Sequence, residues 1–392
     1  MHAADIHLGN MQYGLEARRE DFARAFEEVV TKTIALKPDL MIIAGDLFND
    51  PRPPNPTLAT AINKLKRLVD AGIEVLAVEG SHDSAPNITT GTILRPLHDA
   101  GLLKYLPSLP GSSWFHEFCY VYGLPNFRTR AKAEENLSEW LGRNPARPDP
   151  DLFNIFVFHQ ALTDLKVETL YAEPEVNHEQ IPRGFDYYAG GHIHQFHTGK
   201  IGSGILVYSG ATETTSYLEA GFEKGVCFVR VSQDKEVNIE RIKLETIRRF
   251  TVITPKCAGL SSNEITEHAY QLIREKDEPE KILIAVLSGS LPLGSSKASV
   301  DTLKLRRAAQ KALHVHVVNK LEEKVLGDET LQAMFEKVET RRERSEKYFL
   351  SLLSARYPEK DVVKLAKLAL NLIEPLTKGE KEKVRQLLEE SD

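Results

Sequence analysis

Five short segments carry side chains able to hold divalent cations: Asp5-Ile6-His7, Gly45-Asp46, Gly80-Ser81-His82-Asp83, His159-Gln160 and Gly191-His192-Ile193-His194. Carboxylates and imidazoles, with no cysteine among them, suit Mn, Fe, Zn or Mg. Taken singly, each segment has a commonplace reading. Asp-x-His is a turn or a helix cap, Gly-Asp is frequent after a strand, and His159 could be a core histidine. Gly-His-Ile-His is more specific, because two histidines at i and i+2 after a glycine turn can aim at one ion. As a set the segments meet the needs of a two-metal centre: two ions about 3.5–4 Å apart, a shared carboxylate and further ligands on each side. Asp46 is the candidate bridge. Asp5, His7 and one tandem histidine would hold one ion; His159 and the other would hold the second. Such a pair polarises a phosphodiester, lowers the pKa of a bridging water and stabilises the transition state. His82 is then left to protonate the leaving oxygen or to steady the transition state.

Elements must bring these segments to one place. Apolar residues at Phe22, Phe26, Val29, Val30 and Ile34 predict a helix over 21–36, and further helices are expected over 57–71 and 92–100. Short apolar runs predict strands over 39–44, 74–78, 118–122, 154–158, 187–189, 205–208 and 225–231. Each of the five segments follows such a run or opens the chain. In a layered α/β domain, ligand sites form outside the carboxyl ends of strands. Strands over 250–253, 281–287 and 315–318, with helices over 262–275 and 300–312, predict a small α+β domain at 246–325. A charged helix over 329–353, ended by Pro358, and an amphipathic segment over 361–373, broken by Pro375, make a helical part at 326–392. The latter stripe, with Leu365, Leu368 and Leu372, needs a surface to cover it, on this chain or on a partner.

Composition narrows the class. At 42% hydrophobic and 27% charged, the 392 residues are an ordinary globular balance of two or three domains. A net charge of −6 argues against a protein that coats nucleic acid through bulk positive charge, and less against one that grips phosphate through metals. Three dispersed cysteines, Cys119, Cys227 and Cys257, point away from a disulfide framework and toward a reducing cytoplasm. No apolar run reaches the length needed to span a membrane, so a soluble intracellular protein is expected.

The order DxH…GD…G(N)HD…H…GHxH resembles the calcineurin-like metallophosphoesterase superfamily. DIHLGNMQYGLEARREDF, PDLMIIAGDLFNDPRPPNPTL, GSHD, VFHQ, YYAGGHIHQ and YSGATE are similar, more closely, to archaeal Mre-eleven-type double-strand-break repair nucleases, whose bacterial counterpart is SbcD. The resemblance covers 1–245 by motif, the small second domain by position and the C-terminal helices by type. It implies a β-sandwich flanked by helices, a capping domain and a helical arm. It implies Mn²⁺-dependent 3′–5′ exonuclease and single-strand and hairpin endonuclease activity. It assigns Asp5, His7, Asp46 and His194 to one metal, and Asp46, Ser81, His159 and His192 to the other, with His82 catalytic. It implies docking of the C-terminal helices on the coiled-coil root of a Rad-fifty-type ABC ATPase. It also implies a homodimer through 57–71 and 91–103, with Ile62, Leu65, Leu97 and Leu102 as candidate contacts. In an archaeon the location would be the cytoplasm, at the nucleoid.

Two departures stand out. The superfamily usually has Asn where this chain has Ser81, and a hydroxyl is shorter and a poorer ligand than an amide oxygen. Only four residues precede Asp5, so the first strand is expected to be short and the start late. Arg52, Arg128, Arg130, Lys132 and the loop at Gln12 and Tyr13 are candidate phosphate contacts. His98, His116, His178, His268, His314 and His316 are expected to have no metal role; His197, three residues after His194, is the one to check. The competing readings are a small-phosphoester hydrolase and a non-catalytic scaffold.

Overall fold

The computed structural model describes residues 1–84, 91–127, 129–163, 175–292, 294–323, 341–357 and 361–389. The chain divides into two compact units, Met1–Arg248 and Arg249–Asp392.

Among the described residues of the first unit, twelve strands form two six-stranded sheets. One contains β1 (His2–Ala3), β2 (Leu40–Ala44), β3 (Glu74–Val78), β4 (Lys104–Tyr105), β11 (Gly225–Val231) and β12 (Val237–Lys243), in the order β12-β11-β1-β2-β3-β4. The other contains β5 (Ser113–Phe115), β6 (Cys119–Gly123), β7 (Phe153–His159), β8 (Tyr187–Gly191), β9 (His197–Ile201) and β10 (Gly204–Tyr208), in the order β5-β6-β7-β8-β10-β9. Strands β1, β2 and β3 run parallel, and so do β6, β7, β8 and β10. Side-chain alternation explains how both faces of each sheet are covered. Leu40, Ile42 and Ala44 of β2 meet Val121, Phe153, Ile155, Val157 and Ala189 in the core between the sheets. Met41 and Ile43 point the other way, into a core with Phe26, Val29, Val30, Leu65 and Leu97 from the helices Glu16–Leu36, Asn55–Asp70 and Leu94–Asp99. On the far face, Phe156, Phe158 and Tyr188 pack with Ala133 and Leu137 of the helix Arg130–Arg143. The result is the layered α/β sandwich expected. Each fully buried side chain of this size contributes about 1.5–3 kcal/mol.

Some elements differ from the reading of the sequence. The helix Arg130–Arg143 went unforeseen, because only Ala133 and Leu137 of its fourteen residues are buried and its stripe is too sparse to register. Strands β9 and β12 alternate exposed and half-buried residues and lack the apolar runs used as the signal.

The second unit holds a parallel sheet of β13 (Phe250–Ile253), β14 (Ile282–Ser290) and β15 (His314–Glu322), covered by the helix Ser262–Glu275. Ser261 and Glu264 cap that helix reciprocally. The helix expected over 300–312 shortens to Thr302–Arg306, where Asp301 caps Lys304 N–H at 2.8 Å. C-terminal helices span Arg341–Arg356, Val362–Lys378 and Lys381–Glu389. Residues 329–340 of the expected long helix, and Pro358, lie outside the described residues. Pro375 does not break its helix. It sits in the last turn, and the helix ends at Gly379 in the left-handed conformation, with Glu380 N–H on the Pro375 carbonyl at 2.9 Å. Among the described residues no helix is long and apolar enough to cross a membrane.

Candidate metal centre

All five segments sit at or just beyond the carboxyl ends of β1, β2, β3, β7 and β8. The β1 and β2 loops continue their pairing past the strands: Asp5 N–H bonds the Gly45 carbonyl at 3.1 Å, and Ile6 and His7 N–H both bond that of Asp46 at 2.9 Å. Asp5, His7, Asp46 and His192 all have positive φ, at 53°, 49°, 51° and 85°. Such backbone costs about 1–3 kcal/mol per non-glycine residue and persists where surrounding structure fixes it. Four such residues at one sheet edge mark it as a site rather than a set of turns. Gly45 is required by the same crowding: at φ +86° a Cβ there would lie 2.2 Å from His159 Nδ1.

The side chains converge. His159 Nε2 is 3.2 Å from Asp46 Oδ2 and 3.8 Å from Asp5 Oδ1. His7 Nε2 lies 3.8 Å from Asp46 Oδ2 and 3.3 Å from His194 Nε2, and His194 Nε2 lies 3.6 Å from Asp5 Oδ1. Among the described residues, three groups have ligand atoms within 4.8 Å of one another: Asp5, His7 and His194; His7, Asp46 and His82; Asp5, Asp46 and His159. Asp46 thus belongs to two groups, and Asp5 also reaches toward His159, a role the sequence did not suggest. His192 joins none of the three. Its ring packs edge-on against His159 at 5.2 Å, and its backbone N–H donates to both oxygens of Asp5 at 3.2 and 3.1 Å. Ser81 lies half-buried in the turn between Gly80 and His82.

The outer atoms of three imidazoles, those of His159, His82 and His194, are tied so that the inner ones face the centre. His159 Nδ1 donates to the Ala44 carbonyl at 2.8 Å, which leaves Nε2 as the inward atom. His82 Nδ1 donates to the Asn49 carbonyl at 2.8 Å, while its backbone N–H holds Asp46 Oδ1 at 2.8 Å and leaves Oδ2 free. His194 Nδ1 donates to Glu219 Oε1 at 2.8 Å, and Thr215 Oγ1 donates to that same oxygen at 2.6 Å. Lys224 pairs with Glu219, both buried. This is the carboxylate–histidine arrangement that fixes tautomer and orientation of a metal ligand. Sequence reading missed Glu219 and Thr215, although Thr215 lies two residues past YSGATE. Asp83, named in its segment but given no role, has a buried carboxylate that accepts Leu47, Phe48 and Gly80 N–H at 3.1, 2.9 and 3.1 Å and clamps the Asp46 loop to the Gly80 turn.

Electrostatics divide the imidazoles into two pairs. Burial opposes charge on His159, but Asp46 and Asp5 outweigh it and lift the imidazole to about 10. Burial opposes charge on His194 too, and Asp5 and Glu219 lift it to about 9. Burial takes His7 and His192 down to about 4. Burial would raise the Asp46 carboxyl, yet His159 and His7 hold it well below the usual carboxylate range. The residues fit divalent cations. The buried atom His159 Nε2, which faces the centre, has no hydrogen-bond partner, and a buried polar atom left so is costly unless a ligand satisfies it.

Other candidates fare unevenly. His197 lies on β9 and joins none of the metal-capable groups found among the described residues. Gln12 is committed internally, donating to the Thr215 carbonyl at 2.7 Å and accepting from Arg18 Nε at 3.1 Å. Arg130 and Lys132 are exposed but pair with Glu134 and Glu135 on their own helix. Arg52 is exposed, and Arg128 lies outside the described residues. Leu65 and Leu97 are withdrawn as subunit contacts, being 0% and 2% exposed on the inward faces of their helices. Ile62 is exposed and Leu102 half-buried.

Comparison with known proteins agrees with this geometry. The calcineurin-like phosphoesterase family matches residues 1–196. A DNA double-strand break repair protein Mre11 from Sulfurisphaera tokodaii is 31% identical, over 74% of this chain and 74% of that one. Its counterpart from Methanocaldococcus jannaschii is 30% identical over 80% and 82%. That from Haloferax volcanii is 32% identical over 74% and 61%. Identity over most of two whole relatives, on a chain whose phosphoesterase motifs meet at one sheet edge, shows that this chain belongs to the calcineurin-like phosphoesterases and, among them, to the Mre11 family.

Proposed function

We propose that this chain is a Mn²⁺-dependent nuclease that processes DNA ends in double-strand-break repair, as the names of its relatives suggest. The observation that carries the reading is the place of Asp46. Its Oδ1 is held by the His82 N–H, and its Oδ2 faces both His7 and His159. That arrangement supports a carboxylate shared by two cations. Bound there, the cations would polarise a phosphodiester and supply a metal-activated water as nucleophile. Asp5, His7, Asp46 and His194 would hold one, and Asp46, His159 and His192 the second. His82, exposed beside the shared carboxylate with Nδ1 tied to Asn49, would present Nε2 to the leaving oxygen. The proposed activities are 3′–5′ exonuclease and single-strand or hairpin endonuclease, and the proposed place is the cytoplasm.

Two partners complete the reading. The stripe of Leu365, Leu368 and Leu372 is half-buried, with Val363, Ile373 and Leu376 exposed on the same helix, which suits docking on a coiled-coil ABC ATPase of the Rad50 kind. Ile62 and Leu102 remain the candidate contacts of a homodimer. A direct assay tests the activity: linear duplex and p-nitrophenyl phosphate are each incubated with the protein and Mn²⁺. Loss of nucleotides from duplex ends, abolished by His82→Ser, supports the proposal. Hydrolysis of the small ester alone would assign the site to small phosphoesters.

A further inference from the structure

Beside His192 lies a carboxylate that neither the sequence reading nor the proposed ligand set uses. Glu175 Oε2 is shielded from solvent and has no hydrogen-bond partner. It lies 4.0 Å from His192 Nε2. Burial pushes the carboxyl up, the charge on His159 pulls it down, and that on Asp46 pushes it up again, so its electrostatic neighbours are the side chains of the second half of the centre. Its backbone is fixed to the loop that carries His159. Glu175 and Val176 N–H both bond the Ala161 carbonyl, at 2.9 and 3.2 Å, and Thr163 N–H bonds the Val176 carbonyl at 2.8 Å. The orphaned oxygen is therefore placed by the same strand end as a candidate ligand.

We propose that Glu175 is a ligand of the second divalent cation, supplying a carboxylate oxygen to a site where Ser81 stands in place of the superfamily's usual Asn. The proposal rests on the two-cation reading above. A gap of 4.0 Å is too long for a hydrogen bond from His192. It suits two atoms on one ion, since ligands each about 2.1 Å from a cation stand about 3–4 Å apart. A buried, unpaired carboxylate oxygen is otherwise costly, and a cation removes that cost. Glu175 escaped notice in the sequence because EPEVN carries no metal spacing. Its neighbourhood comes from the pairing of Leu162 with Val176, which no local pattern announces.

The test is Mn²⁺ titration of the full-length protein by calorimetry, with unbound ion counted by electron paramagnetic resonance. The wild type should take up two ions. Glu175→Ala and the volume-conserving Glu175→Gln should keep the first at unchanged affinity and weaken the second on the order of 100-fold. Adding Ser81→Asn to Glu175→Ala should restore the second ion, because an amide oxygen then reaches it from the Gly80 turn. Equal melting temperatures of the metal-free variants exclude a folding defect. Two ions bound by Glu175→Ala at wild-type affinity would overturn the proposal, and so would failure of Ser81→Asn to rescue, which would leave Glu175 as a residue that only orients His192. A wild type that binds a single ion would instead refute the two-cation reading itself.

Discussion

Around Asp5, His7 and His194, the inner ligand atoms are backed by an outer layer: Glu219 and Thr215 hold His194 Nδ1, Lys224 neutralises Glu219, and Gln12 and Arg18 hold the chain at Thr214 and Thr215. Around His159 and His192 the backing is thinner. His159 is tied through the Ala44 carbonyl, but the His192 ring, unlike its backbone N–H, has only a ring contact and a carboxylate 4.0 Å away, and Ser81 offers only a hydroxyl. Both halves share Asp46 and the same strained backbone, so the difference lies in the second layer. A cation site is only as selective and tight as the groups that hold its ligands still. The first half should therefore bind its ion tightly and in a fixed geometry, and the second more weakly. Metal titrations should resolve two affinities, not one.

The largest blow to that distinction falls on the residue both halves share. Asp46→Asn keeps the shape but removes the charge that both ions need. Both affinities should collapse together, and phosphodiester cleavage should fall on the order of 10³-fold. Retention of either ion at wild-type affinity would show that the two halves do not meet at Asp46.

Acidity separates the halves less violently. In the metal-free site His159 and His194, held at about 10 and about 9, both carry protons at pH 7. One lies in each half, so binding each ion should release about one proton. Each affinity should then rise about tenfold per pH unit from neutral until it levels near 9 for the first half and 10 for the second. Calorimetry in buffers of different ionisation enthalpy counts the protons. The sign for stability runs the other way. A histidine raised above its usual 6.5 stabilises the metal-free fold fully below that value, and the contribution is lost as pH climbs through 9 to 10. The melting temperature of the metal-free protein should drop between pH 7 and 10, and saturating Mn²⁺ should abolish the drop.

The second layer itself is broken by Glu219→Gln. The first ion should lose about 10–100-fold in affinity while the second is little changed. Stranding buried Lys224 should also cost about 3–5 kcal/mol of fold stability. Equal weakening of both ions would mean that the halves are not separately supported.

What the sequence disclosed follows the same division. The candidate ligands were legible because two-metal chemistry demands particular side chains after particular strands, and Asp5, His7, Asp46, His82, His159 and His194 do meet. The strands were legible because buried runs such as DLMIIA have no other use. The second layer was not. Glu219 reaches His194 across 25 residues and Glu175 reaches His192 across 17, and neither separation carries a spacing rule. The helix Arg130–Arg143 hid for a related reason, since it offers the core only two buried side chains and otherwise reads as a charged surface. Leu65 and Leu97 were misplaced because the resemblance points to two helices without saying which of their apolar residues the chain's own core already covers.

Gln12 gives the smallest effect and the finest discrimination. Its amide spans Arg18 and the Thr215 carbonyl, one step outward from Glu219 and His194. Gln12→Ala removes two hydrogen bonds, each worth about 1 kcal/mol net, but the chain at Thr214 keeps its bond from Arg18 at 2.8 Å. The loosening reaching His194 should thus be partial, weakening the first ion a few-fold and leaving the second alone. A phosphate-contacting Gln12, the expectation from sequence, would behave differently: both metal affinities would stay at wild type and binding of duplex in Ca²⁺ would fall. Measuring the two affinities and the DNA binding on one variant decides whether this loop supports the metal edge or grips the substrate.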